Sequence, residues 1–317
     1  VALWLGMAAS AAAQGPAPAT AQPVPLAQRI GHSAMPAPPP AGPAVQNAVH
    51  AGAGSMTVTR PLDMKFVQGE WGAFQRGVLW PNSSNGEHFH EGSEEVFVIL
   101  GGDAQFTVDG RTSVIPGPAG APVRLAHAHG VYNPTDKPME WLSISVEARN
   151  GGGGFDNGDS RAHDGVVLDR FPQFVNFRLD RARLQPIEKM DGGTGTVMYR
   201  RLLGPGSFST LYAYTDHFLV PPGASMGAVS KADVSEIYYV LAGAGAVTVN
   251  GETAPIKAGD VIPVDFGQTR AFTQSGTEPL ELFLNAVART QAVKVALRTP
   301  YAPVRRPPPP AAAAPAR

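Results

Sequence analysis

The stretch Glu87–Gly102, EHFHEGSEEVFVILGG, sets two histidines and several carboxylates beside an apolar run of β-branched and aromatic residues. Successive side chains of a strand alternate faces, so His88 and His90 point to the same side and both imidazoles can reach one point. The EGSE turn reverses the chain and delivers Glu95 at the start of the returning VFVIL strand, while AHAHGVYNPTDKP places His129 on a later strand. Three neutral imidazoles and one carboxylate converging inside a barrel form a mixed N/O site suited to one divalent transition metal: Mn, Fe, Co, Ni, Cu or Zn. Without a cation, four ionisable groups on inward faces would carry large desolvation penalties. His32, His50 and His163, each standing alone, read as satisfied core or surface residues.

The elements that must hold these residues repeat. At an offset of 141 residues SEEVFVILGG (93–102) falls on VSEIYYVLAG (234–243), with Glu95 over Glu236 and Gly102 over Gly243. The same ungapped register brings Gly54 onto Gly195, Pro81 onto Pro222, Gly110 onto Gly251 and Glu140 onto Glu281, so the two halves share one fold. Short runs such as EVFVIL, AQFTVDG and MEWLSISV recur between Gly, Pro and Asn turns, the pattern of a small antiparallel barrel or sandwich. The 36 Gly and 31 Pro exclude a helical protein.

HFHEGSEEVFVILGG resembles the first motif of the cupin family, HxHx4Ex6G, at His88, His90, Glu95 and Gly102, and AHGVYN resembles the end of its second motif, Hx3N, at His129 and Asn133. The resemblance implies an all-β chain of two tandem cupin barrels (double-stranded β-helix, or jelly roll), with His88, His90, Glu95 and His129 as metal ligands. His127, two residues ahead of His129, lacks an Asn at the family's spacing. Asn82 stands where the family has a glycine, and IPGPAGAPVRLAH is a loose form of its GDxxxxPxG segment. Around the site, Phe97 shares a strand face with Glu95. Arg76 is either a substrate-carboxylate fork or a surface residue, and Glu94 reads as a solvated hairpin carboxylate or a proton shuttle at the mouth.

In the second unit the equivalents of His88, His90, Glu95 and His129 are Val229, Lys231, Glu236 and Arg270. An isolated buried Glu tends to protonate. The expectation is that Lys231 and Arg270 supply fixed cations to Glu236 where a metal is lost, the alternative being a Lys231 that simply extends into solvent.

The chain divides into a signal-peptide remnant (1–13, VALWLGMAASAAA), a disordered Pro/Ala-rich linker (14–48), an N-terminal barrel (49–150), a connection (151–190), a C-terminal barrel (191–290) and a tail (291–317). The leader reading implies a periplasmic or secreted protein. No run reaches the roughly 18 apolar residues of a membrane span. The formal charge of −1 gives no support to nucleic-acid binding, and the absence of Cys excludes disulfides and thiol nucleophiles. The expected function is a metalloenzyme of dioxygenase, decarboxylase, isomerase or lyase type acting on a small oxygenated molecule. The alternative is a non-catalytic binder of a sugar or organic acid, and either a monomer or a homodimer fits.

Overall fold

The computed structural model describes residues 24–34, 42, 44–148, 154–157 and 166–297; the leader, His163 and the Pro-rich tail beyond Ala302 lie outside them. Hairpins close where the sequence places its turn residues. Asp109-Gly110 joins Asp103–Val108 to Arg111–Pro116, and Asn250-Gly251 joins Ala244–Val249 to Glu252–Lys257. All four turn residues have positive φ, the two-residue hairpin geometry whose twist matches the flanking strands.

The fold is all-β, two tandem jelly-roll barrels of two sheets each. The large sheet of the first barrel runs Phe177–Arg178, Ala119–Val123, Ser93–Ile99, Met139–Glu147, Trp71–Leu79, Ser55–Thr59, Val45–Asn47. Its small sheet runs Gly154–Asp156, Ser84–His90, His127–Tyr132, Asp103–Val108, Arg111–Pro116. In the second barrel the large sheet runs Gly31–His32, Asp260–Val264, Val234–Ala242, Leu280–Ala288, Tyr212–Val220, Thr196–Leu203, Gln185–Glu188. Its small sheet runs Ser225–Ser230, Thr269–Ser275, Ala244–Val249, Glu252–Lys257. The registers agree: Glu95 lies opposite Ser145 and Val123, and Glu236 opposite Ala286 and Val264, each pair 141 residues on.

The strand VFVIL is unbroken in its hydrophobicity because both of its faces are buried. Phe97 and Ile99 face the first barrel's interior with Phe106 and Trp141. Val96 and Val98 face outward, in one cluster with Phe74, Leu142, Tyr212, Ile237, Tyr239 and Phe283, so the outer faces of the two large sheets form the core between barrels. Within it Phe74 stacks on Tyr239 at 5.9 Å, and Trp71 Nε1 donates to Ser235 Oγ at 2.9 Å.

The barrels also exchange edge strands. Gly31–His32, which leads into the first barrel, pairs with Val261 and Asp260 of the second; Phe177–Arg178, which leads into the second, pairs with Gly120 and Ala119 of the first. The stretch expected to be a disordered linker therefore contains ordered structure, anchored by Leu26, which is buried in the second barrel's core and whose N–H donates to Glu252 Oε2. The expected tail likewise begins with a helix, Gln291–Ala296, capped by the Thr290 hydroxyl accepting from Val293 N–H.

Glu94 departs from expectation for the same reason of face. It shares parity with Val96 and Val98, so it points at the second barrel and is fully buried. Its carboxylate accepts from Ser209 N–H, Thr210 N–H and the Thr210 hydroxyl (2.6–2.9 Å), while Lys294 Nζ donates to the Phe208 and Thr210 carbonyls from the other side. Removing it leaves the Ser209 and Thr210 donors without an acceptor. Glu94→Ala is expected to lower the unfolding free energy by about 3 kcal/mol, read from denaturant unfolding followed by tryptophan fluorescence.

Candidate metal centre

Four of the predicted site residues meet. His88 and His90 come from one strand of the small sheet, Glu95 from the strand after the turn, and His129 from the neighbouring strand, directly opposite His88 in register. A bulge follows at once: His129 pairs with His88 but Val131 pairs with Asn85, which gives His129 its place in a locally bent strand. Asn82, in the position of the family's glycine, has φ 53°, a conformation Asn tolerates, and its counterpart Gly223 has φ 80°.

One nitrogen or oxygen from each of His88, His90, Glu95 and His129 lies within 4.8 Å of all the others, and all four residues are buried. His88 Nε2 is 3.1 Å from His90 Nε2 and 3.2 Å from His129 Nε2; Glu95 Oε2 is 3.4 Å from His90 Nε2 and 3.6 Å from His129 Nε2. Donors about 2.1 Å from a common ion sit roughly 3.0–3.4 Å apart in octahedral or tetrahedral arrangements. The residues fit a cation. His88 Nδ1 donates to the Gly86 carbonyl at 2.9 Å, which leaves Nε2 as a lone pair facing its neighbours, and His90 Nδ1 is held by Ser93 Oγ at 3.1 Å.

The charge states suit ligation. Burial, with the nearby imidazoles, pulls His88 down to about 2, and burial pulls His90 down to about 4 from an ordinary 6.5, so both rings are neutral donors at pH 7. Burial by itself would raise the Glu95 carboxyl, but hydrogen bonding to His129 and the electrostatic interaction with the clustered imidazoles hold it well below the usual carboxylate range. A cavity of about 350 Å³ opens beside the cluster, with His50, Arg60, Gln75 and Phe97 in its walls. Phe97 stacks on Trp141 at 5.2 Å and meets His129 edge-on at 6.0 Å.

The other candidates go elsewhere. Arg76 shares parity with Phe74 and so faces the second barrel, where it pairs with Glu140 and donates to the Ser33 carbonyl; Gln75 takes the inward position. His127 is half-exposed at its strand's start, with Nδ1 2.6 Å from Asp109 Oδ2. Asn133 donates to the carbonyls of Leu79, Trp80 and Lys137 and accepts from Thr135, so it holds a turn. His50, expected to be an ordinary core or surface residue, stacks on His88 with ring centroids 3.8 Å apart. A sequence signal for it existed: His50 falls over Asp191 in the repeat, ahead of the matched pairs Gly52/Gly193 and Gly54/Gly195.

In the second barrel Val229 lies opposite Arg270, as His88 lies opposite His129. Lys231 turns inward: its Nζ is 2.5 Å from Glu236 Oε1, and Arg270 Nε is 3.6 Å from Glu236 Oε2. Tyr214 and Tyr238 each donate a hydroxyl hydrogen bond to the same carboxylate, and Arg270 Nη1 pairs with Asp191 at 2.8 Å. Burial would raise Glu236, yet Lys231 and Arg270 bring it down to about 2. Fixed cations thus stand around this carboxylate.

The family signature described as Cupin domain matches residues 76–145 and 216–286. An oxalate-binding protein of Thermotoga maritima is 36% identical over 95 residues, 30% of this chain and 78% of that protein. Among the solved structures similar in fold are two enzymes. The oxalate decarboxylase formate complex of Lactobacillus farciminis has 16% identity and a TM-score of 0.54, over 74% of this chain and 81% of that one. The salicylate 1,2-dioxygenase of Pseudaminobacter salicylatoxidans has 19% identity and a TM-score of 0.51, over 67% and 70%.

Two outcomes follow from these charges. Because His88 and His90 take up protons less readily folded than unfolded, and Glu95 likewise, the metal-free protein is expected to lose stability as pH falls below about 6.5, the loss continuing through about 4; thermal unfolding at pH 7.5 and pH 5 measures it. Glu236→Gln is expected to cost about 3 kcal/mol in denaturant unfolding with no change in metal content by elemental analysis.

Proposed function

Because the chain belongs to the cupin family, with two tandem cupin units in one polypeptide, we propose that its first barrel is a metal-dependent centre acting on a small carboxylic acid, while the second is a scaffold. The carrying observation is the convergence of the four buried donors of His88, His90, Glu95 and His129 at ligand-to-ligand spacing. These residues would hold one divalent transition metal; three nitrogens and one oxygen suit several such ions. When bound, the cation supplies Lewis-acid polarisation of a carboxylate or carbonyl.

The chain's own residues do the rest. Arg60 places a cation on the cavity wall, which favours entry of an anion. Phe97, wedged between Trp141 and His129, keeps one side of the centre dry and the His129 ring in place. Support for a carboxylic acid comes from the relative described as an oxalate-binding protein. That description also favours a second reading, a binder that holds the acid without converting it. The leader-like N-terminal run supports a periplasmic or secreted location.

Elemental analysis of protein recovered from the periplasmic fraction is expected to find about one metal per chain, lost in His88→Ala and retained in Lys231→Ala. Metal unaffected by His88→Ala sinks the proposal. Consumption of small carboxylic acids, with or without oxygen uptake, supports the enzyme; saturable binding with no product supports the binder.

A further inference from the structure

His50 stands in the cavity wall on a strained piece of backbone. It sits in a 3-10 turn, Val49–Ala51, where His50 and Ala51, with Ala48 just before, all have positive φ (52°, 56° and 48°), a conformation that costs free energy for residues with a Cβ. The turn is pressed onto the strand that carries His88 and His90: a Cβ on Gly86 would lie 2.0 Å from the His50 carbonyl oxygen, and one on Gly52 2.6 Å from Ser84 Oγ. The second barrel repeats the device. Lys189 and Asp191 have φ 49° and 54°, and a Cβ on Gly227 would lie 2.2 Å from the Asp191 carbonyl oxygen. There the hung side chain, Asp191, reaches Arg270, which occupies the place of His129. A strained turn kept in both barrels thus aims one side chain at the centre.

In the first barrel that side chain is an imidazole of fixed tautomer. His50 Nδ1 is 2.5 Å from Asp156 Oδ1, on the edge strand Gly154–Asp156 that pairs alongside His88 and His90. A carboxylate only accepts, so Nδ1 carries the proton and, in the neutral ring, Nε2 presents a lone pair. Nε2 makes no hydrogen bond among the described residues, and the residue lines the cavity.

We infer that His50, oriented by Asp156, contacts the bound acid through Nε2 and selects a hydroxy acid over a simple dicarboxylate. An acceptor at this point matches a hydroxyl donor on the ligand. The oxalate dianion offers acceptors alone and meets Nε2 with a lone-pair clash, so the selection works by mismatch as well as by match. The inference deepens the carboxylic-acid reading and rests on the metal centre proposed above.

The test uses the full chain loaded with Co(II), titrated with glycolate and with oxalate and followed by the visible spectrum of the metal. His50→Phe keeps a ring stacked on His88 and removes the nitrogens. It is expected to hold the same cobalt, to lose glycolate affinity about tenfold, the size of one hydrogen bond, and to gain oxalate affinity as the clash with Nε2 is removed. Asp156→Asn, which frees the tautomer, is expected to weaken glycolate in the same direction, and it decides the matter should His50→Phe load less cobalt. Unchanged glycolate affinity in a fully loaded variant overturns the inference and leaves the metal centre standing, as does a wild-type protein that loads cobalt and fails to bind glycolate. Cobalt retained by His88→Ala removes the metal reading and this inference together.

Discussion

A buried carboxylate at the head of one strand governs both barrels. Glu95 and Glu236 hold the same register position, both buried, and a carboxylate there stays ionised only beside positive charge or donated hydrogen bonds. The first barrel surrounds it with three imidazoles, of which His88 and His90 tie Nδ1 back to the protein, an arrangement that fits a cation. The second surrounds it with an ammonium, a guanidinium and two phenols, which carry their own charge and protons. One electrostatic demand is met by exchangeable chemistry in one barrel and by permanent side chains in the other. The ammonium and guanidinium at the positions of His90 and His129 support the proposed scaffold role of the second barrel.

The division of labour between the two faces of each large sheet follows from burial on both sides. Inward residues build the cavity; outward residues build the joint between barrels. Neighbours in sequence therefore have unrelated roles: Glu95 faces the metal-centre histidines while Glu94 binds the backbone of the other barrel, and Gln75 lines the cavity while Arg76 pairs with Glu140 outside it. The strands traded between barrels, Gly31–His32 and Phe177–Arg178, tie the joint further, since each barrel's large sheet is completed by chain that leads into the other.

The strained turns at His50 and Asp191 show how a duplicated fold keeps a delivery device while changing its cargo. Left-handed backbone at residues with a Cβ persists where the surroundings over-determine it. The close approach of each turn to Gly86 or Gly227 supplies that constraint. In one barrel the delivered group completes an ion network, and in the other it stands beside the cavity.

By itself the sequence determined the all-β class and the duplication with its register, because alternation along strands, turn residues and spacing are written in the chain; the set His88, His90, Glu95 and His129 was legible through the resemblance of HFHEGSEEVFVILGG and AHGVYN to the cupin motifs. The inward turn of Lys231 was also legible, since a buried Glu236 needs a cation nearby. Only the tertiary structure decided which face of a doubly buried strand is interior, and so where Arg76 and Glu94 point, because an unbroken apolar run carries no mark of sidedness. It alone brought His50 to His88 and Asp156, 106 residues apart from its partner in the chain, and it alone ordered the Pro/Ala-rich stretch around Leu26. Those contacts arise from packing between distant segments, whose free energy no local pattern encodes.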